Sequence, residues 1–175
     1  MVDALDALRL GIEREKGAHK FYSDAAQKVT NEASRSMFNW LAGEEQGHIR
    51  VLEKAQQAVQ SKKGWPGEQE CRDSGDLSQP VEKAEFPKLA EAKAEVKEDV
   101  PEMEILSRAI ADERDAMYFY TELGEGISDP EGKKMMKTLA AIEKGHLELL
   151  EEEYEWLRRS RQTFTIHRFT LPGKS

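Results

Sequence analysis

The sequence predicts an all-α protein: an antiparallel four-helix bundle with a long crossover between the second and third helices and an extended C-terminal tail. Three observations predict it. Residues 98 positions apart match at Leu8 and Leu106, Ile12 and Ile110, Phe21 and Phe119, Tyr22 and Tyr120, Met37 and Met135, Leu41 and Leu139, Ala42 and Ala140, and Leu52 and Leu150. Each copy is long enough for two helices, so two copies make four. Apolar residues recur at the three-and-four spacing of amphipathic helices, and glycines and prolines crowd the single stretch between the copies.

In chain order, residues 3–30 carry Leu5, Leu8, Ile12, Ala18, Tyr22, Ala26 and Val29 on one stripe, with Glu15 inside it. Asn31 to Ser34 reads as a tight connection. Met37, Leu41, His48, Leu52, Ala55 and Val59 define a second stripe that contains Glu45. These two helices make a hairpin over 3–60. Residues 61–100 form the crossover, broken by Gly64, Pro66, Gly67, Gly75, Pro80 and Pro87. A connection of this length fits a bundle whose second and third helices run parallel. Within it, Lys88 to Glu98 has the composition of a short surface helix.

The second hairpin covers 101–159. Its first helix starts near Asp99 or Pro101, since proline is tolerated in a first turn, and carries Met103, Leu106, Ile110, Met117 and Tyr120 around Glu113. Gly124, Gly126 and Ser128 to Pro130 mark the turn, with Ser128 or Asp129 as cap. The last helix runs to about Arg159 with Met135, Leu139, Ile142, His146, Leu149, Leu150 and Leu157 facing inward and Glu143 among them. The bundle thus occupies 1–160. Residues 161–175 alternate apolar and polar side chains around Phe164 and Ile166, which reads as an extended tail packed along the bundle or a second subunit, with a docking peptide as the alternative.

Composition excludes several function classes. A net charge of −8 argues against a broad nucleic-acid surface, which neutralises phosphates with clustered Lys and Arg. No apolar run approaches the roughly 20 residues of a membrane span. The opening Met1-Val2-Asp3-Ala4-Leu5-Asp6 lacks the features of a secretory signal, so the expected location is cytoplasmic. Cys71 is the single cysteine, which allows neither an internal disulfide nor a Cys-x-x-Cys metal site. It reads as an inert connector residue.

The chemistry lies in Glu45-Gln46-Gly47-His48 and its echo Glu143-Lys144-Gly145-His146. An α-helix turns about 100° per residue, so a Glu and a His three apart reach one point from one face. Glu15 and Glu113, also related by the 98-residue offset, put a further acid on each of the other two helices. Four inward carboxylates repel one another, and an unpaired buried carboxylate costs several kcal/mol. No inward Lys or Arg in the repeat neutralises them, whereas two divalent cations would. Carboxylates with one imidazole per metal suit iron or manganese. The predicted ligands are therefore Glu15, Glu45, His48, Glu113, Glu143 and His146 around two iron ions, with manganese or a mixed pair as alternatives. Tyr22 and Tyr120, seven residues beyond Glu15 and Glu113, return to nearly the same face. They read as hydrogen-bond donors behind the ligands or as amphipathic core tyrosines. His19 and His167 lack the pattern and read as structural or exposed, and Glu44, opposite Ile142 in the repeat, stands outside the ligand set.

These residues resemble the rubrerythrin-like branch of the ferritin-like di-iron carboxylate proteins. The matching segments are Ile12 to Glu15 through Phe21-Tyr22, Leu41 to His48, Ile110 to Glu113 through Phe119-Tyr120, and Ile142 to His146. The resemblance implies a four-helix bundle with a di-iron centre, often a homodimer, that reduces hydrogen peroxide or oxidises ferrous iron. Two departures stand out. Rubrerythrins proper carry a four-cysteine rubredoxin domain that one cysteine cannot make, so electrons would come from an external donor such as a rubredoxin-type or other redox protein. They also place an additional Glu where this chain has Ala116, a ligand associated with iron movement during peroxide turnover. The leading expectation is a di-iron oxidoreductase acting on peroxide or dioxygen. The rivals are an iron-binding or storage protein without dedicated turnover, and a helical interaction module with a vestigial site.

Overall fold

The computed structural model describes residues 3–67, Leu77 and residues 100–170. Four helices hold nearly all of them: α1 (Ala4–Lys28), α2 (Glu32–Gln60), α3 (Val100–Gly126) and α4 (Pro130–Thr170). The described residues contain no strand, and the fold is the expected ferritin-like four-helix bundle. α1 packs closely on α2 and α3 on α4, and the two hairpins meet through side chains.

Side-chain caps start the helices. The Asp3 carboxylate accepts from the Leu5 and Asp6 amides at 2.9 and 3.1 Å. The Asn31 side chain accepts from Ala33 and Ser34, and Asp129, 98 positions later, from Glu131 and Gly132. Each satisfies amides that the first turn leaves unpaired, a contribution of about 1 kcal/mol. α2 therefore begins inside the segment read as a connection, because Asn31 is its cap. At the other end of α2, Lys62 takes the left-handed conformation with φ 57°. The amides of Lys62 and Lys63 bond back to the carbonyls of Val59 and Ala58, closing the helix as a glycine usually would.

The core falls into two apolar clusters. One gathers Leu8, Ile12, Val51, Leu52, Met135, Met136 and Leu139. The other gathers Phe38, Leu41, Leu106, Leu150 and Leu157. Each fully buried side chain of this size stabilises the fold by about 1.5–3 kcal/mol. Glu15, Glu45, Glu113 and Glu143 lie between the two clusters along their helices, so apolar packing on both sides fixes where the acids meet.

Two readings need correction. Gly124 and Gly126 belong to α3, and the turn is only 127–129. A Cβ on Gly124 would come within 3.3 Å of the Met136 Cβ, so this glycine serves the close approach of α3 and α4. The extended reading of 161–175 fails over 161–170, where α4 continues to Thr170. The segment holds no Gly or Pro before Pro172. Extending an existing helix adds a hydrogen bond for each residue fixed, which outweighs the few tenths of a kcal/mol that Thr, Ile and Phe cost. Residues 171–175, Cys71 and the helix expected over Lys88 to Glu98 lie outside the described residues.

Candidate metal centre

Each helix contributes one buried acid at the level between the apolar clusters. Glu15, Glu45, Glu113 and Glu143 are all buried, as are His48 and His146. Two sets of potential ligand atoms form: Glu15, Glu45, His48 and Glu143, and Glu45, Glu113, Glu143 and His146, with the atoms of each set within 4.8 Å of one another. Glu45 and Glu143 belong to both. Glu44, half-buried beside them, belongs to neither.

The geometry has an approximate two-fold relation. His48 Nδ1 lies 3.0 Å from Glu45 and 3.1 Å from Glu143. His146 Nδ1 lies 3.0 Å from Glu143 and 3.5 Å from Glu45. The outer acids follow, with Glu15 3.5 Å from His48 and Glu113 3.8 Å from His146. The two rings stack with centroids 5.7 Å apart.

The tyrosines bond across the bundle. Tyr22 on α1 donates to Glu113 on α3, and Tyr120 on α3 donates to Glu15 on α1. Gly11 packs beside the second pair, where a Cβ would press on Leu52 at 3.2 Å and touch the Tyr120 hydroxyl at an ordinary 3.5 Å.

Without metal, the protons redistribute. Burial, then repulsion from Glu45 and Glu143, raises Glu15 and Glu113 well above the ordinary carboxylate range. Burial also opposes charge on Glu45 and Glu143, but the neighbouring imidazoles outweigh it and hold both below that range. Burial likewise opposes charge on His48 and His146, and the same two carboxylates overcome it and raise both histidines. Burial, followed by the acid each one meets, raises Tyr22 and Tyr120, so both remain hydrogen-bond donors. Protons and two imidazolium–carboxylate pairs thus balance the centre that four carboxylates alone would make too negative.

The donor set fits a pair of metal ions. Glu45 Oε1 and Glu143 Oε1, one from each shared acid, are buried and meet an imidazole nitrogen, at 3.5 Å from His146 and 3.1 Å from His48, without a well-directed hydrogen bond. Buried acceptors are rarely left so, and these lie where two cations would take them. The six oxygen and nitrogen donors include no thiolate, which suits iron or manganese.

Sequence reasoning missed several residues around this centre. Trp40, half-buried on α2, meets the His146 ring edge-on at 5.6 Å. Its repeat partner is Thr138, so the offset gave no hint of it. Arg14, also missed, and Ala116, which the sequence marked as the position of the additional rubrerythrin Glu, line a cavity of about 290 Å³ that opens onto the four acids between α1 and α3. At another level of the bundle, Glu153 is buried and accepts from Ser34 Oγ at 2.7 Å, with Glu102 nearby. Glu153 continues the stripe through Glu143, His146 and Leu150, a signal that could have found it. His19, as expected, is structural: its Nδ1–H donates to the Ala42 carbonyl at 2.8 Å, tying α1 to α2. His167 lies in the last stretch of α4.

Comparison with known proteins agrees with this layout. No curated protein matches the chain. Among solved structures, a hypothetical protein from Pyrococcus furiosus is 30% identical, with a TM-score of 0.65, and the alignment covers 90% of this chain and 91% of that one. The family model for rubrerythrin matches residues 6–97 and 104–169. That match takes in both hairpins and all six clustered Glu and His residues, and places this chain in the rubrerythrin family.

Proposed function

We propose that the protein is a non-haem di-iron oxidoreductase that reduces hydrogen peroxide or dioxygen. The observation that carries this reading is the sharing of Glu45 and Glu143 between two ligand sets, each completed by one further Glu and one His. A single ion would leave part of the set idle, and two divalent cations balance four carboxylates.

Two ferrous ions held there would supply one electron each to an oxidant. The chain's own residues prepare the site for that chemistry. Glu45 and Glu143 would be shared by both ions, and Glu15 with His48 and Glu113 with His146 would each complete one set. Tyr22 and Tyr120 restrict rotation of Glu113 and Glu15 through their hydrogen bonds. The apolar clusters on either side exclude bulk water, which strengthens every charge interaction at the centre.

The same reading includes a cytoplasmic homodimer and an external redox protein as electron donor. Among the described residues, no helix is long and apolar enough to cross a membrane. Ala116 offers no ligand where rubrerythrins proper place an additional Glu, so the same six residues would hold the metals throughout in this proposal.

Stopped-flow absorbance tests it. The diferrous protein, mixed separately with peroxide and with oxygen, is expected to oxidise faster than free ferrous iron with at least one of them. Oxidation no faster than free iron with both would rule the enzyme out. Light scattering separates the storage alternative, which needs a large shell rather than a dimer.

A further inference from the structure

The cavity above the acids is larger than peroxide or dioxygen requires. At about 290 Å³ it holds roughly ten times the ~30 Å³ share of one water, and approaches the smallest pockets that bind organic ligands. The apolar part of its lining is Ala18, Phe21 and Ala116, beside Tyr22 and above Glu15, Glu45, Glu113 and Glu143. Gly17 stands at the rim, where a Cβ would meet nothing within 4 Å.

Two arginines line the cavity together with Asp112, and their partners differ. Arg108 is neutralised by Asp112 through a 2.7 Å contact. Arg14 instead donates to the Asp112 main-chain carbonyl at 2.7 Å and lies over the Phe119 ring at 5.6 Å. No carboxylate pairs with it among the described residues. The carbonyl and the ring hold the guanidinium in place while most of its five donors remain available, an arrangement that favours a carboxylate ligand.

We propose that this cavity binds a small amphipathic monoanion, with its carboxylate on Arg14 and its short apolar body against Ala18, Phe21 and Ala116. The ligand would stand directly over the acidic centre. The Arg14 guanidinium selects a single negative charge, and the apolar part of the lining selects a short hydrocarbon body. This pocket goes beyond the proposed redox reading, because anion binding requires no turnover.

Sodium hexanoate is the probe, titrated into metal-free and zinc-loaded protein and followed by amide shifts in NMR. Zinc content, measured beforehand, reports on the metal site separately, and where zinc does not bind the metal-free titration decides. Saturable shifts at residues 14–21 and 112–117 are expected, with hexan-1-ol binding much more weakly. Arg14→Gln is expected to lower affinity about tenfold or more, as loss of a charge-assisted pair does. Gly17→Leu, which extends into open space at the rim, is expected to weaken binding with helicity unchanged by circular dichroism. The absence of saturable shifts, equal affinity for hexan-1-ol, or unaltered affinity in both variants would overturn the proposal.

Discussion

Tyr22 and Glu113 lie 91 positions apart and on different hairpins, yet the tyrosine hydroxyl donates directly to that carboxylate. Tyr120 and Glu15 repeat the contact in the opposite direction. Each half of the chain therefore orients an acid belonging to the other half.

Tyr22→Phe and Tyr120→Phe are expected to lower metal affinity by similar factors, about 10- to 100-fold each, the usual effect of removing a partner behind a ligand. Competition against a chromogenic chelator measures it. A loss confined to one variant would show that the two tyrosines are not equivalent.

Removing a shared acid should differ from removing an unshared one. Glu45→Ala and Glu143→Ala take a donor from both sets and are expected to deplete both metals, whereas Glu15→Ala and Glu113→Ala each leave one set whole. Elemental analysis after anaerobic iron loading reads the stoichiometry, with helicity expected to remain nearly intact. Equal metal content in all four variants would contradict the bridging assignment.

Acid should weaken metal binding. Glu15, Glu113, His48 and His146 have raised pKa values in the metal-free protein, so they retain protons that a metal must displace. Affinity therefore rises with pH and loading releases protons. Titration calorimetry in buffers of different ionisation enthalpy, at about pH 6 and pH 8, measures both. Loading without proton release would contradict the protonation pattern.

Glu153→Gln is expected to stabilise the protein at neutral pH by about 1 kcal/mol, or roughly 2–4 °C in Tm. Burial, and the nearby Glu102, raise the Glu153 pKa against the Ser34 hydrogen bond. The folded chain thus binds this proton more tightly than the unfolded chain, so stability falls as pH rises between the two pKa values. Glutamine keeps an acceptor for Ser34 and removes the cost of ionisation. Thermal melts across pH should show the gain shrinking in acid.

The rim of the helix-joining turn offers a purely steric test. A Cβ at Gly132 would lie 2.5 Å from the Trp65 ring, and a rigid ring yields poorly. Gly132→Ala is expected to cost about 1–3 kcal/mol despite better helix propensity. A neutral or stabilising result in denaturant titration would show that Trp65 can leave α4 freely.

The sequence alone determined the four helices, the grouping of six Glu and His residues and the family likeness. Helical periodicity says which residues share a face, and the 98-residue offset says which faces correspond, so Glu15, Glu45, Glu113 and Glu143 were legible without coordinates. Only the tertiary structure decided that the tyrosines serve the opposite hairpin, that Arg14 bonds the Asp112 carbonyl at the cavity over the acids, that Gly124 serves helix packing and that α4 continues past Arg159. Periodicity is a property of one helix, whereas these features depend on which helices meet and how closely. The tail shows the same limit from the other side: β-branched and aromatic residues state a local preference, and a helix already formed overrides it.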